Sequence, residues 1–195
     1  NAGDIKFVPQ RDIEYKQEIT DEDRTILGKD VPDFTYGVNL SLQYKGFEFS
    51  MFGQGISGTK VAFDVYGVHP FYHGQDSPRK YHLKRWTEEN PNPHAAYPRI
   101  YSASSVHTTY NRNFSDYHLF DSDYFRFKTL SLGYTVPSAT VKNWGLQSLK
   151  VYVTGENLFT VRADKKMEDF DPETAGGVIY TLGTKSVAFG VNISF

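Results

Sequence analysis

The stretch FTYGVNLSLQY, residues 34–44, decides the fold class because its side chains alternate strictly between two kinds. Successive side chains of an extended strand point to opposite faces. One face collects Phe34, Tyr36, Val38, Leu40, Leu42 and Tyr44, and the other collects Thr35, Gly37, Asn39, Ser41 and Gln43. Aromatic residues at both ends of an aliphatic face are typical of a lipid-facing strand, and the length suits the roughly 9 to 11 residues that cross a bilayer. The stretch therefore predicts a transmembrane β-strand.

The chain continues with a predicted hairpin and three further strands. Lys45-Gly46 supplies a two-residue turn into a returning strand that begins at Phe47. The further strands are DYFRFKTLSLGYTVP at 123–137, SLKVYVTGENLF at 148–159 and SVAFGVNISF at 186–195. Phe125 and Phe127 are out of phase with the later apolar residues of their strand, so we expect a bulge or a change of environment near Thr129.

The connections between these strands alternate in length. We expect extracellular loops at 1–33, 56–123 and 160–183, and short periplasmic connections at 45–46 and 136–147, because outer-membrane barrels have this asymmetry. Five strands do not close a barrel, since the smallest barrels have about eight. We therefore expect the remaining strands to come from residues outside this chain. The sequence begins NAGDIKF, without initiator Met or signal peptide, which indicates a processed chain or the tail of a longer one.

Composition narrows the function classes. The formal net charge is -2 and the pI is about 6.3, so the chain has no basic field with which to hold nucleic acid. There is no cysteine, which excludes a disulfide scaffold, a thiolate metal site and a Cys nucleophile. No run of about 18 apolar residues is present, so no membrane-spanning helix is expected.

The residues resemble a known family. GDIKFVPQ, ITDEDRTILG, DFTYGVNLSLQYKGFEFSMFGQG, RWTEENPNPHAAYPR, DYFRFKTLSLGYTVP, SLKVYVTGENLFT and SVAFGVNISF follow one another as in the C-terminal part of SusC/RagA-family TonB-linked outer-membrane transporters. The resemblance implies an all-β fold, a transmembrane antiparallel β-barrel to which this chain contributes about the last five of 22 strands. It also implies an N-terminal plug and a TonB-contacting segment, neither of which lies in this sequence.

The resemblance carries further expectations about partners and sites. It implies a SusD-like lipoprotein lid, TonB-powered import of oligosaccharide or peptide cargo through the outer membrane, and a possible dimer of SusC/SusD-type pairs. Family members end in an amphipathic strand that the barrel-assembly machinery recognises. The corresponding residues here are Phe189, Val191, Ile193 and Phe195.

Other motifs are weak. Residues 12–23 lie where many family members carry a calcium loop, but Lys16 occupies a ligand position and Gln17 replaces the required glycine, so we expect a solvated acidic loop. Gly53, Gly55 and Gly58 match the dinucleotide pattern GxGxxG without a following helix, and we interpret them as flexible glycines where a strand leaves the membrane. His69 and His73 flank Pro70 in a loop and are not expected to bind metal. GxSxG is absent, and no catalytic residue, metal or cofactor is predicted.

Loop aromatic residues are the candidate cargo contacts. Aromatic faces bind apolar surface, and their polar edges form hydrogen bonds. The candidates are Tyr66, Tyr72, Trp86, Tyr97 and Tyr101, with Phe71 and Tyr81 in the same loop. For any single residue the alternative is that it packs the loop against itself.

Three functions are weighed from the sequence. The leading hypothesis is a TonB-dependent importer in which Asn39, Ser41, Gln43, Asn192 and Ser194 face the lumen and the plug. The second is a passive porin or a barrel-borne enzyme, although no nucleophile and base cluster in the sequence. The third is a soluble β-sandwich that binds a ligand and covers the apolar faces with a second sheet.

Overall fold

The computed structural model describes residues 1–11, 19–62, 69–71, 77–165, 170–173 and 183–195. These residues fall into two compact units, which we treat separately. The loop unit comprises the described residues of Asn1–Lys29 and Lys60–Phe120. The sheet unit comprises those of Asp30–Thr59 and the described residues from Asp121 onward.

Seven strands are present in the described residues. They are β1 (Phe34–Tyr44), β2 (Phe47–Ser57), β3 (Lys60–Ala62), β4 (Leu119–Asp121), β5 (Tyr124–Thr135), β6 (Ser148–Arg162) and β7 (Ser186–Ser194). Five of them form one antiparallel sheet in the order β1-β2-β5-β6-β7, and β3 pairs with β4. The five strands predicted from alternation are the five strands of this sheet.

Two strands are longer than predicted. β2 includes Ile56 and Ser57, and β6 runs through residues 160–162, all of which were predicted to lie in loops. The extension of β2 was hidden because Gly53 and Gly55 interrupt its apolar alternation. Ladder pairing with β1 nevertheless continues to Ser57, opposite Phe34.

The turn between β1 and β2 has the predicted two-residue form. Lys45 and Gly46 both have positive φ, 46° and 86°, as a type I′ hairpin turn requires. The backbone N–H of Thr135, at the end of β5, donates to the Gly46 carbonyl over 2.8 Å. The turn and the end of β5 therefore lie at one end of the sheet.

The expected bulge lies at Lys128. Phe52 of β2 faces Thr129, but the next residue, Gly53, faces Phe127, so Lys128 is the extra residue. The extra residue reverses the phase of β5. Phe125 and Phe127 consequently share a face with Leu130 and Leu132, although their sequence positions suggest the opposite.

The connection from β5 to β6 is compact. It contains α2 (Ser138–Val141) after Pro137, followed by a 3-10 turn that ends at Gly145, whose φ is 75°. Val141 is fully buried, and the Gln147 N–H donates to the Ser194 carbonyl over 2.8 Å. This connection thus lies at the same end of the sheet as the β1–β2 turn.

At the opposite end, Asp123 joins the start of β5 to the end of β2. Its carboxylate accepts from the Ser57 hydroxyl (2.6 Å) and from the N–H groups of Gly58 (2.8 Å) and Thr59 (3.1 Å). Burial opposes ionisation of Asp123, but these hydrogen bonds outweigh it and hold its pKa below the usual range. The long connection between β2 and β5 therefore leaves the sheet from a fixed point.

The loop unit is built from short elements. It contains α1 (Val106–Arg112) and 3-10 turns at Asp21–Asp23, Lys80–Lys84 and Asp116–His118. Asn111 of α1 is buried and fixes the start of the chain, since its side chain accepts from the Ile5 N–H (2.9 Å) and donates to Asp4 (3.0 Å). Neither helix of the described residues has the length and apolarity needed to cross a membrane.

Candidate functional site

The five-stranded sheet has one face, here called the apolar face, on which every strand contributes hydrophobic residues. Opposed residues of antiparallel strands share a face, so the register defines its members. They include Val38, Leu40, Leu42, Phe49, Met51, Leu130, Leu132, Val151, Val153, Val187, Phe189, Val191 and Ile193. Phe189 is 83% exposed and Leu42 is 56% exposed, and no second layer of described residues shields this face. A contiguous apolar surface of this kind needs a nonaqueous environment.

Aromatic residues mark both ends of the apolar face. At the end where β2 passes into its long connection, the Tyr36 and Phe125 rings stack at 6.0 Å, and Phe127 contacts Phe125 edge-on at 5.2 Å. At the end with the short turn, Phe47 and Tyr134 lie 4.6 Å apart. Two aromatic rows that flank an aliphatic band match the girdles of barrels at the two membrane interfaces.

Gly53 and Gly55 lie within β2, which corrects their interpretation as flexible exit glycines. A Cβ at Gly53 would overlap the Phe125 ring, and a Cβ at Gly55 would lie 2.6 Å from Cζ of Tyr36. Because neither glycine has a Cβ, the aromatic rings of the neighbouring strands can lie directly over the backbone at these two positions. Gly58, the third glycine of the motif, has a φ of +88° and follows the strand.

The other face of the sheet, here called the polar face, is lined by hydroxyls, amides and charges. The residues predicted to face a lumen, Asn39, Ser41, Gln43, Asn192 and Ser194, all lie on it. Ser131 and Thr154 form a hydroxyl hydrogen bond of 3.0 Å across β5 and β6. Glu48 pairs with Lys150 and also accepts from Thr135 over 3.3 Å. A groove of about 350 Å³ toward the short-turn end of the face is bordered by Ser41, Gln43, Glu48, Ser131, Lys150, Thr154 and Asn192.

Arg126 is the centre of a second ionic cluster on the polar face. It is 4% exposed and donates to both oxygens of Asp171, at 2.6 Å and 3.2 Å, and to Glu173 at 2.9 Å. Lys128 pairs with Glu173 at 2.6 Å. This cluster was not predicted from the sequence; its signal was the presence of two basic residues in an otherwise neutral strand.

The loop aromatics that the structure describes pack within the loop unit. Tyr97 bonds Nδ1 of His69 (3.1 Å), and its ring meets His82 edge-on at 4.6 Å; burial raises the pKa of its phenol. Arg99 lies between Trp86 and Tyr101, 5.7 Å and 5.3 Å from the two rings. Tyr66 and Tyr72 lie outside the described residues. Cargo contact by any of the five stays a prediction.

The weak metal motifs fall partly outside the described residues. His69 is buried, whereas His73 is not described. Asp23 is the last carboxylate of the calcium-like loop at 12–23, and hydrogen bonds from Arg11 and the Thr20 N–H hold its pKa well below the usual range. Within the part of the chain that the structure covers, no three His, Cys, Asp or Glu side chains form a metal site.

The proposed assembly signal lies at an edge of the sheet. Phe189, Val191 and Ile193 of β7 are on the apolar face, paired with β6, and Phe195 follows the strand with 82% exposure. The geometry suits an amphipathic terminal strand. Recognition by an assembly machinery stays a prediction.

An antiparallel sheet with one apolar face bordered by aromatic residues and one polar face is the wall of a transmembrane β-barrel.

No family model matches the chain. Two curated relatives are TonB-dependent receptors of Formosa agariphila. Receptor P3 is 30% identical over 149 residues, which are 76% of this chain and 14% of P3. Receptor P26 is 28% identical over 187 residues, which are 91% of this chain and 18% of P26.

Solved structures show the same fold. The RagAB peptide importer in its open-open state has a TM-score of 0.66 at 23% identity, over 96% of this chain and 20% of that one. Its closed-closed state gives 0.65 at 23% identity, over 97% and 21%. The resemblance to SusC/RagA-type TonB-linked transporters is thereby confirmed, and the sheet is a segment of such a barrel fold. The chain spans less than a fifth of the length of the two curated receptors.

Proposed function

We propose that this chain forms part of the barrel wall of an outer-membrane TonB-dependent importer that takes up oligosaccharides or peptides. The observation that carries the proposal is the continuous apolar face with aromatic rows at both ends. In this role the apolar face contacts lipid, and the polar face lines the passage and braces the plug. The chain supplies no chemistry of its own.

The open apolar face argues against the soluble alternative. A β-sandwich buries the inner faces of its sheets against each other, about 10 Å apart. Here Val191 is 58% exposed and Ile193 is 49% exposed. The outer edges of β1 and β7 also need partners, because an unpaired edge in lipid costs several kcal/mol for each free backbone group. Further strands of the same polypeptide would supply those partners.

The named relatives favour energy-coupled import over a passive porin. TonB would act through a plug and a contact segment elsewhere in the polypeptide. RagAB pairs a receptor with a lipoprotein, which supports a SusD-like lid as the partner here. The segments at 1–33, 56–123 and 160–183 would be extracellular, where such a lid and the cargo meet them. Assembly into the membrane through β7 and pairing into a dimer of such complexes complete the proposal.

Uptake by the full-length polypeptide, expressed with its lipoprotein partner, tests the proposal. Cells would be offered labelled oligosaccharides and labelled peptides, and one of the two classes should accumulate. The control variant lacks the TonB-contacting segment and is matched for surface abundance. Uptake that persists in the control would establish a passive porin, and a detergent-free soluble monomer would establish the sandwich.

A further inference from the structure

Residues 170–173, in the connection between β6 and β7, lie against the polar face of the sheet. Arg126, whose neighbours across the sheet are Gln54 and Thr160, points to that face. Two of its guanidinium nitrogens donate to the two carboxylate oxygens of Asp171, at 2.6 Å and 3.2 Å. Both side chains are at most 7% exposed. A two-point guanidinium–carboxylate pair fixes direction as well as distance.

Further bonds determine the position of the same segment. Glu173 accepts from Arg126 (2.9 Å) and from the Tyr124 hydroxyl (3.1 Å), and its N–H donates to Asp171 over 3.0 Å. The third nitrogen of Arg126, Nε, donates to the Thr160 hydroxyl at 3.0 Å, which orients the guanidinium. The segment is therefore held by side chains of β5, and Thr160 of β6 orients one of them.

The chain that leads into β7 passes the same point. A Cβ at Gly183 would overlap the Asp171 carboxylate and would lie 3.9 Å from Nη1 of Arg126. Arg162 of β6 donates to the Phe170 carbonyl over 3.4 Å. A connection that served only to link two strands at the rim would require none of these contacts.

We propose that residues 170–173 are an inward-folded segment that narrows the importer's passage, and that Arg126 is the positioning residue that holds it there. This rests on the proposed function, because it takes the polar face to line the passage. The segment limits the width of cargo that passes along this part of the wall. Loss of the Arg126–Asp171 ion pair releases the segment and increases the maximum width of cargo that can pass.

Labelling of a single cysteine tests the position of the segment. Pro172→Cys in the otherwise cysteine-free chain, within the full-length protein in intact cells, is treated with a membrane-impermeant maleimide; Pro172 is buried. Adding Arg126→Met should speed labelling by about tenfold or more, because loss of one partner of a buried ion pair shifts local opening by at least that much. Lys150→Met, which breaks the Glu48 pair on the same face, is the matched control and should leave the rate unchanged.

Two outcomes overturn the proposal. Labelling of Pro172→Cys as fast as that of the exposed Lys185→Cys in the parent protein would show that the segment is not folded inward. Equal, slow labelling with Arg126→Met and Lys150→Met would show that Arg126 does not hold it. Heat-modifiable electrophoretic mobility verifies that each variant forms a barrel. With Arg126→Lys, which keeps the charge but cannot form the two parallel hydrogen bonds to Asp171, Pro172→Cys should label at an intermediate rate.

Uptake of a cargo series of increasing width, from linear to progressively more branched, tests the consequence. Arg126→Met should admit more branched cargo than the parent, and Lys150→Met should not. An unchanged width limit despite faster labelling would refute the narrowing role. If no cargo of either class enters the parent while the labelling pattern holds, then the proposed import function fails and the position of the segment stands.

Discussion

At the scale of single residues, consecutive residues of one strand lie on opposite faces of the sheet. Leu40 and Ser41 follow each other in β1, yet Leu40 lies beside Met51 on the apolar face and Ser41 lies beside Ser50 on the polar face. If lipid covers the first face and water the second, a charge should be tolerated very differently at the two positions.

Leu40→Arg should lower the free energy of unfolding of the full barrel by about 2–4 kcal/mol, because an arginine near the bilayer midplane must be desolvated. Ser41→Arg should cost much less. Equilibrium unfolding in lipid vesicles with increasing denaturant measures both. Equal losses would indicate that both faces meet the same environment.

The fit between Gly53 and the Phe125 ring gives a second residue-scale prediction. Gly53→Ala should destabilise the barrel by about 1–3 kcal/mol, since the new methyl group overlaps the ring. In a Phe125→Leu background the same substitution should cost less. A double-mutant cycle on unfolding free energies measures the coupling, and a coupling near zero would mean that the ring does not depend on the glycine.

At the scale of elements, the connections at the short-turn end depend on backbone geometry. Gly46 and Gly145 both have positive φ, 86° and 75°. A Cβ at Gly46 would also lie 2.7 Å from the Thr135 carbonyl oxygen, whereas a Cβ at Gly145 would meet nothing within 4 Å. The two glycines therefore separate backbone strain from steric contact.

Gly46→Ala should destabilise the barrel more than Gly145→Ala. The second substitution imposes strain of about 1 kcal/mol, and the first adds the displacement of β5 from the turn. The midpoints and slopes of denaturant unfolding curves measure the difference. A larger loss of unfolding free energy for Gly145→Ala than for Gly46→Ala would show that the β1–β2 turn accommodates a Cβ at Gly46 with little displacement of β5.

At the scale of the whole molecule, the ion pair between Arg126 and Asp171 links the β6–β7 connection to the barrel wall. Burial opposes ionisation of Asp171, but the hydrogen bonds and charge of Arg126 outweigh it and hold its pKa below the usual range. A carboxyl whose pKa is lowered by folding stabilises the folded arrangement above its ordinary pKa. That stabilisation is lost as pH falls through the lowered value.

A spin label at Lys165→Cys should therefore report an unchanged, restricted connection from neutral pH to about pH 5 and increasing mobility only below the ordinary carboxyl pKa of about 3.9. Asp171→Asn should make the mobility high and independent of pH. Electron paramagnetic resonance line shapes across the titration measure both. A transition near neutral pH would assign the change to a group other than Asp171.

Most of the sheet could be predicted from sequence, because alternation is a local property. β1 was predicted with its exact bounds, and the bulge followed from the phase change at Phe127. The continuation of β2 to Ser57 was missed, since glycines covered by the rings of other strands leave no apolar signal of their own. The Arg126 cluster was missed because its acidic partners belong to a connection that carries no periodic pattern.

The sequence by itself determined the five strands of the sheet, except for the ends of β2 and β6, and which side of each strand is apolar away from the bulge, because side chains two positions apart must share a face. Only the tertiary structure decided the register across the bulge, the rings that lie over Gly53 and Gly55, and the grip of Arg126 on Asp171. Those features join residues far apart along the chain; Arg126 and Asp171 are separated by 45 positions. Such contacts exist only once the strands have paired and the connection between β6 and β7 has folded back onto them.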